Sequence, residues 1–235
     1  MKKGGILYGI GVGPGDPELV TLKGARLISE AQLIAYPIDK EGAALARKIA
    51  APHSPPGAEE LPVPIFKRGA SGAELAAYDA AIAAISARLD AGDDVVFLCA
   101  GDPFFYGSFI YVFARLAERH GVEVIPGITS LTAAAARLKR PLAARDDVVK
   151  VLPGTLADER LRAALKGAQA IAIIKVGRHF DRLREVLREA GLADRAAVVE
   201  SATLAEERIY PLSDVPDGAK PYFSMILIRA GSDSW

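Results

Sequence analysis

Short unbroken apolar runs alternate along this chain with longer stretches in which apolar residues recur every three or four positions. ILYGIGVG (6–13) predicts a buried strand, and TLKGARLISEA (21–31) a helix with Thr21 near its start. LIAYP (33–37) predicts a second strand, stopped at Pro37, and EGAALARKIAA (41–51) a helix. PHSPPGAEELP reads as a loop leading into VPIF. GAELAAYDAAIAAISARLDAG (72–92) predicts a long helix with a stop at Gly92. DVVFLCAG (94–101) is a buried strand, YGSFIYVFARLAERHG (106–121) a helix, VEVIPG (122–127) a strand and TSLTAAAARL (129–138) a helix.

The second half repeats the alternation less regularly. Strands are expected at 147–154, 170–177 and 196–201, with helices at 157–167 and 179–192 between them. The tail turns β-rich, with EERIYPL (206–212) and YFSMILIRA (222–230). Apolar runs followed by helices predict βα units and mostly parallel sheet, because strands covered on both faces read as continuous apolar runs. The tail predicts antiparallel strands closing a second sheet. Nine or ten strands are many for one sheet. The expected fold class is therefore α/β in two lobes, residues 1–125 and 126–235, with a ligand cleft between them.

Composition narrows the function classes. Lys+Arg and Asp+Glu each number 29, so the chain has no net charge and no general attraction to nucleic acid or an anionic membrane. Cys99, the single cysteine, excludes an intrachain disulfide and points to a reducing, cytoplasmic setting. Inside VVFLCAG it reads as a small buried hydrophobe rather than a nucleophile. No apolar run approaches the roughly 18 residues of a membrane span. His53, His120 and His179 share no metal-ligand spacing, so no protein metal site is expected.

The chemistry-bearing signal lies at three strand ends. The first, GIGVGPGDPELVT (9–21), places glycines at 9, 11, 13 and 15. A dinucleotide fingerprint needs a glycine at the sixth position of G-x-G-x-x-G, and here Pro14 or Asp16 stands there. A phosphate loop fails too, since no Gly-Lys-Ser/Thr closes the run. The second, LCAGDPFFYGSF (98–109), again ends a strand with Gly-Asp-Pro. The third, VIPGITS (124–130), gives Pro-Gly followed by a Thr-Ser pair. Ligands of parallel sheets sit at the carboxyl ends of strands. None of the three turns holds Lys or Arg, which fits a ligand gripped through backbone groups better than a polyphosphate.

GVGPGDPELVTLKGARLI, GDPFFYGSF, IPGITS, IIKVG and ESATLAEERIYPL occur in the order found in the tetrapyrrole methylases, and the chain resembles that family over nearly its whole length. Within it, YPIDK, LCAGDPFFYGSFIYVFARL, AAAARLKRPLA and PYFSMILI look most like the enzymes that methylate C20 of precorrin-2 in cobalamin synthesis. The resemblance implies two α/β lobes around a bent S-adenosylmethionine, S-adenosylhomocysteine and precorrin-3A as products, and a homodimer. Pro14, Ala100, Gly101, Asp102, Phe105, Thr129 and Ser130 match residues that line the cofactor. Val176 stands where uroporphyrinogen methylases carry a methionine, and Ala202 where they carry a glycine. Those enzymes also have an acidic proton acceptor after the second-strand tyrosine; here Pro37 follows Tyr36, so that role does not carry over.

A proton must leave the methylated carbon, and Asp102, Tyr106 and Glu200 are the candidates to take it. The substrate class implied carries eight carboxylates, for which Lys175, Arg178 and Arg208 are candidate clamps, as bidentate guanidinium–carboxylate pairs orient strongly. Arg137, Lys139, Arg140 and Arg145 crowd the stretch between the lobes. Three alternatives stay open: another methylase of the same fold or the cobalt-loaded substrate, a nicotinamide oxidoreductase, and a module that binds the cofactor without turnover.

Overall fold

The computed structural model describes residues 4–65, 71–218 and 220–229. Phe66 and Ala230, the last residues of the stretches VPIF and YFSMILIRA, lie outside them. The chain divides into two compact units, Met1–Thr129 and Ser130–Trp235, each built on its own five-stranded sheet. No helix among the described residues is long and apolar enough to cross a membrane.

In the first unit, β1 (Ile6–Gly11), β2 (Leu33–Ile38), β3 (Glu59–Pro64), β4 (Val95–Cys99) and β5 (Gly121–Ile125) form an entirely parallel sheet in the order β3-β2-β4-β1-β5. Alternate residues of β4 serve opposite faces, which is why its sequence is apolar throughout. Val95, Phe97 and Cys99 pack with α3 (Gly72–Ala91) and α4 (Phe109–Leu116). Val96 and Leu98 pack with α1 (Leu22–Ser29) and α2 (Leu45–Ala50). α3 stops at Gly92, in the left-handed region, as the sequence predicts, and a Ser71–Glu74 capping box closes its start.

Four expectations need correction. PHSPPGAEELP is not all loop, because Glu59–Pro64 forms the edge strand β3 despite two prolines. The amides of Glu59 and Ile65 donate to Gln32 and Ile38, so the odd positions face β2. Pro62 and Pro64 turn their missing N–H outward, as an edge strand allows. The same parity lets β2 run past Pro37 to Ile38: the Pro37 nitrogen faces β4, whose pairing with β2 ends at Ala35↔Phe97. The helix expected from 41 begins only at Leu45, since the Asp39 carboxylate takes the amides of Glu41 and Ala43 in a turn. The helix expected over 106–121 shrinks to Phe109–Leu116. Tyr106 has φ +58, incompatible with helix, and at the other end Gly121 already belongs to β5.

The second unit mixes directions. β6 (Val149–Pro153) and β7 (Ala170–Ile174) are parallel, and β10 (Ser224–Arg229) inserts antiparallel between β7 and β8 (Ala196–Glu200), with β9 (Arg208–Pro211) at the edge. β6, β7 and β8 therefore end on one edge of the sheet. α6 (Asp158–Leu165) and α7 (Phe180–Glu189) cover one face through Leu161, Leu165, Phe180, Leu183 and Leu187. α5 (Ser130–Arg137) packs against β10.

What positions the carboxyl edge of the first sheet is close backbone contact. A Cβ built on Gly11 would lie 2.6 Å from the Gly101 carbonyl oxygen and 2.6 Å from the Gly127 nitrogen. A Cβ on Gly127 would lie 2.2 Å from that same oxygen. Only glycine permits the approach. Gly127→Ala is expected to lower the free energy of unfolding by about 2 kcal/mol or more. Gly72→Ala, where an added Cβ meets nothing within 4 Å, should stay within about 0.5 kcal/mol of wild type. Denaturation midpoints of the two variants check this; equal midpoints would remove the steric account.

Candidate functional site

The turns after β1, β4 and β5 meet at one place. Val12 donates to the Cys99 carbonyl at 2.8 Å, and Gly13 and Gly101 exchange backbone hydrogen bonds of 3.3 and 2.7 Å. Gly101 holds φ +72 with open space where a side chain would stand. The turn is packed behind and bare in front, leaving its backbone accessible to a ligand.

Asp102 fastens this assembly. One carboxylate oxygen accepts the amides of Phe104 (2.9 Å) and Phe105 (3.1 Å); the other accepts the Gly127 amide at 3.0 Å. The turns after β4 and β5 are thus held by a single charged acceptor, stronger than a neutral one. With three backbone donors in place, the side chain is occupied in positioning.

The first turn is pinned separately. Asp16 caps a 3-10 turn at Pro17–Leu19 by accepting the Glu18 amide, and Thr21 caps α1 through the Gly24 amide. His53 Nε2 donates to the Pro17 carbonyl at 3.0 Å. Pro14 is buried, Ala100 and Phe105 half-buried. Thr129 is half-buried and Ser130 exposed at the start of α5. Tyr106 is exposed and packs edge-on against Phe105 at 5.2 Å between ring centroids. Cys99 is buried in the core, and burial pushes its thiol up to about 11, so it is no nucleophile. Tyr36 is also tied down: its hydroxyl donates to Glu60, which the Arg47 guanidinium grips with bonds of 2.8–3.1 Å.

The second unit gathers its candidates on the edge where β6, β7 and β8 end. Lys175 (φ +58), Ser201 (φ +49) and Thr203 (φ +67) all sit in the left-handed region there. For a β-branched threonine that conformation is rare and costs energy. Val176 is fully buried, and Ala202 is nearly so. Lys175, Arg178 and Arg208 are exposed on this edge. The charges of Arg178 and Arg182, after burial, push His179 below the usual histidine range.

Arg137 is not available as a carboxylate clamp. Its guanidinium is paired with Glu207 at 2.8 Å, and the same carboxylate accepts the Thr203 amide at 2.7 Å. This clasp ties the end of α5 to the Ser201–Thr203 turn. Sequence reasoning missed it, because the partners stand 70 positions apart and no local spacing links them. Lys139, Arg140 and Arg145 remain exposed in the segment after α5. Glu200, the last residue of β8, is buried; Asp102 and Tyr106 belong to the first unit and Glu200 to the second.

Comparison with known proteins gives this geometry a context. The family profile described as Tetrapyrrole (Corrin/Porphyrin) Methylases matches residues 6–216. A "Cobalamin biosynthesis protein CobIJ" of Mycobacterium tuberculosis is 41% identical over 98% of this chain but 47% of its own, so the chain spans about half of that relative. A "Precorrin-2 C(20)-methyltransferase" of Sinorhizobium sp is 37% identical over 97% of both chains. A "Cobalt-precorrin-2 C(20)-methyltransferase" of Salmonella typhimurium is 32% identical over 96% of both. Among solved structures, a cobalt precorrin-4 methyltransferase superposes with a TM-score of 0.71 at 26% identity, covering 95% of this chain and 94% of its own. A uroporphyrin-III C-methyltransferase from Thermus thermophilus, complexed with S-adenosylhomocysteine, superposes with a TM-score of 0.69 at 25% identity, covering 95% and 92%. Two sheets with glycine-bearing strand ends, a profile match across most of the chain and full-length relatives agree: the chain belongs to the tetrapyrrole methylases.

Proposed function

We propose that this protein transfers a methyl group from S-adenosylmethionine to C20 of precorrin-2, giving precorrin-3A and S-adenosylhomocysteine in cobalamin synthesis. The observation that carries the reading is the 37% identity, over 97% of both chains, to a relative named for that reaction. The strand-end turns support it chemically. The bare Gly101 backbone, fastened by Asp102, suits a ligand gripped through peptide groups. Pro14, Ala100–Asp102, Phe105 and Thr129 from the first unit and Ser130, Val176 and Ala202 from the second would line the cofactor.

The sulfonium supplies an already activated methyl group. The chain's task is then to hold donor and acceptor in line, for which orientation contributes roughly 7–11 kcal/mol. Lys175, Arg178 and Arg208 would pair with substrate carboxylates, and their exposure fits that use. The reduced lone cysteine supports a cytoplasmic enzyme. Exposed Ile110 and Tyr111 on α4, beside Phe104, offer apolar surface for the second copy of a homodimer. The Salmonella relative supports a second reading, in which the substrate carries cobalt.

Anaerobic incubation with methyl-labelled S-adenosylmethionine and either precorrin-2 or its cobalt complex tests the assignment. Label at C20 is expected, and the faster substrate identifies the route; cofactor binding without label in either tetrapyrrole would overturn it. Asp102→Asn removes one of two charged acceptors and is expected to weaken S-adenosylhomocysteine binding by about 1–3 kcal/mol, roughly 5- to 150-fold. Calorimetric titration checks this, and unchanged affinity would mean that the staple does not shape the cofactor site.

A further inference from the structure

β10 runs antiparallel to both its neighbours, so the chain entering it lies on the edge where β6, β7 and β8 end. That entering segment, residues 220–223, is fastened at three points. The Lys220 amide donates to the Gly177 carbonyl at 3.1 Å, and the Ser201 amide donates to the Phe223 carbonyl at 2.8 Å. The Ser224 hydroxyl closes the turn onto the Pro221 carbonyl at 2.7 Å. The segment thus bridges the turns that follow β7 and β8, and Pro221 stiffens it further.

Two large aromatic side chains stand on this turn, largely uncovered. Tyr222 is 72% and Phe223 46% exposed, and their rings meet edge to face at 4.9 Å between centroids. The core takes up the residues that follow instead, Ser224 to Ile228, all of them buried. Single exposed apolar side chains are ordinary, but two in contact on a fixed turn make a patch. Cations flank it. Lys175 and Arg178 follow β7, Arg208 opens β9, and all three are exposed. The order β7-β10-β8-β9 sets the two groups three strand spacings apart, roughly 14 Å, with the aromatic turn leading into β10 between them. Arg137, Arg182 and Arg184 of the same unit are engaged by carboxylates, whereas Arg178 and Arg208 make no ion pair among the described residues. In the register pair Glu200↔Arg208 the carboxylate is buried and the guanidinium exposed.

We infer that Tyr222 and Phe223 form the surface on which the tetrapyrrole stacks, while Lys175, Arg178 and Arg208 take carboxylates at its rim; this rests on the C20 reading above. A macrocycle of pyrrole-derived rings presents a broad apolar face with anionic arms around it. An aromatic pair set between separated cations matches both features. S-adenosylmethionine, with one carboxylate and a net positive charge, leaves at least two of the three cations unanswered. The aromatic turn is then a determinant of acceptor binding, distinct from the glycine-bearing turns of the first unit.

Anaerobic methyl transfer to precorrin-2, or to its cobalt complex where that is the faster substrate, tests this in Tyr222→Ala, Phe223→Ala and Tyr222→Phe. Each alanine variant is expected to raise the KM for the tetrapyrrole by about 5-fold or more, the scale on which a stacked aromatic contributes to binding. The loss should fall on KM rather than kcat, because stacking is shared by ground and transition states. Tyr222→Phe keeps the ring and should recover most of what Tyr222→Ala loses. Calorimetric titration of S-adenosylhomocysteine should give both alanine variants an affinity within about twofold of wild type, a selectivity that a merely structural turn would not show. An unchanged tetrapyrrole KM overturns the inference. So does a loss that falls equally on S-adenosylhomocysteine, or a change of oligomeric state in sedimentation, which would assign the rings to contact with a second copy. If wild type transfers no label to either tetrapyrrole, the C20 reading itself has failed and the inference falls with it.

Discussion

The carboxyl edge of the first sheet depends on one contact, the approach of three backbones at Gly11, Gly101 and Gly127 with no Cβ between them. β1 is the inner strand between β4 and β5, so the turns leaving these strands must share a small volume. Removing side chains from the shared side lets the peptide groups of all three turns come close. The exchange between Gly13 and Gly101, and the Asp102 bond to Gly127, then fix their relative positions. A rigid surface of peptide groups results, which is what a ligand held through backbone needs, since such groups cannot reorient to meet it.

The second unit reaches a comparable end by different means. Its edge has few glycines, and the chain accepts left-handed backbone at Lys175, Ser201 and Thr203. Such strain persists only where the surroundings enforce it. At Thr203 the enforcement is visible: Glu207 takes its amide while Arg137 holds Glu207. α5 thus begins at Ser130, matched to the cofactor in the sequence, and ends at the arginine that shapes the Ala202 turn. One short helix spans two parts of the proposed site.

Most of this architecture was legible because its causes are local. Buried parallel strands read as continuous apolar runs, and the capping box of α3 and the Gly92 stop lie within the elements they close. The Asp102 turn was half legible, since the amides of Phe104 and Phe105 are near neighbours, while Gly127 lies 25 positions away. β3 was hidden by Pro62 and Pro64, whose tolerance depends on which edge of the sheet the strand occupies. Tyr106 carries no sign in the sequence of its positive φ, which delays the start of α4 to Phe109. The Arg137–Glu207 clasp was invisible because charge alone does not say whether a surface arginine will find a partner in a distant turn.

That last point separates residues that position the site from those left to contact ligands. Asp102, Arg137 and Glu207 are conspicuous charges beside the turns, yet their polar atoms are already engaged by backbone or by each other. Engaged groups have little capacity left for a ligand, and removing one disturbs a turn before it disturbs the chemistry.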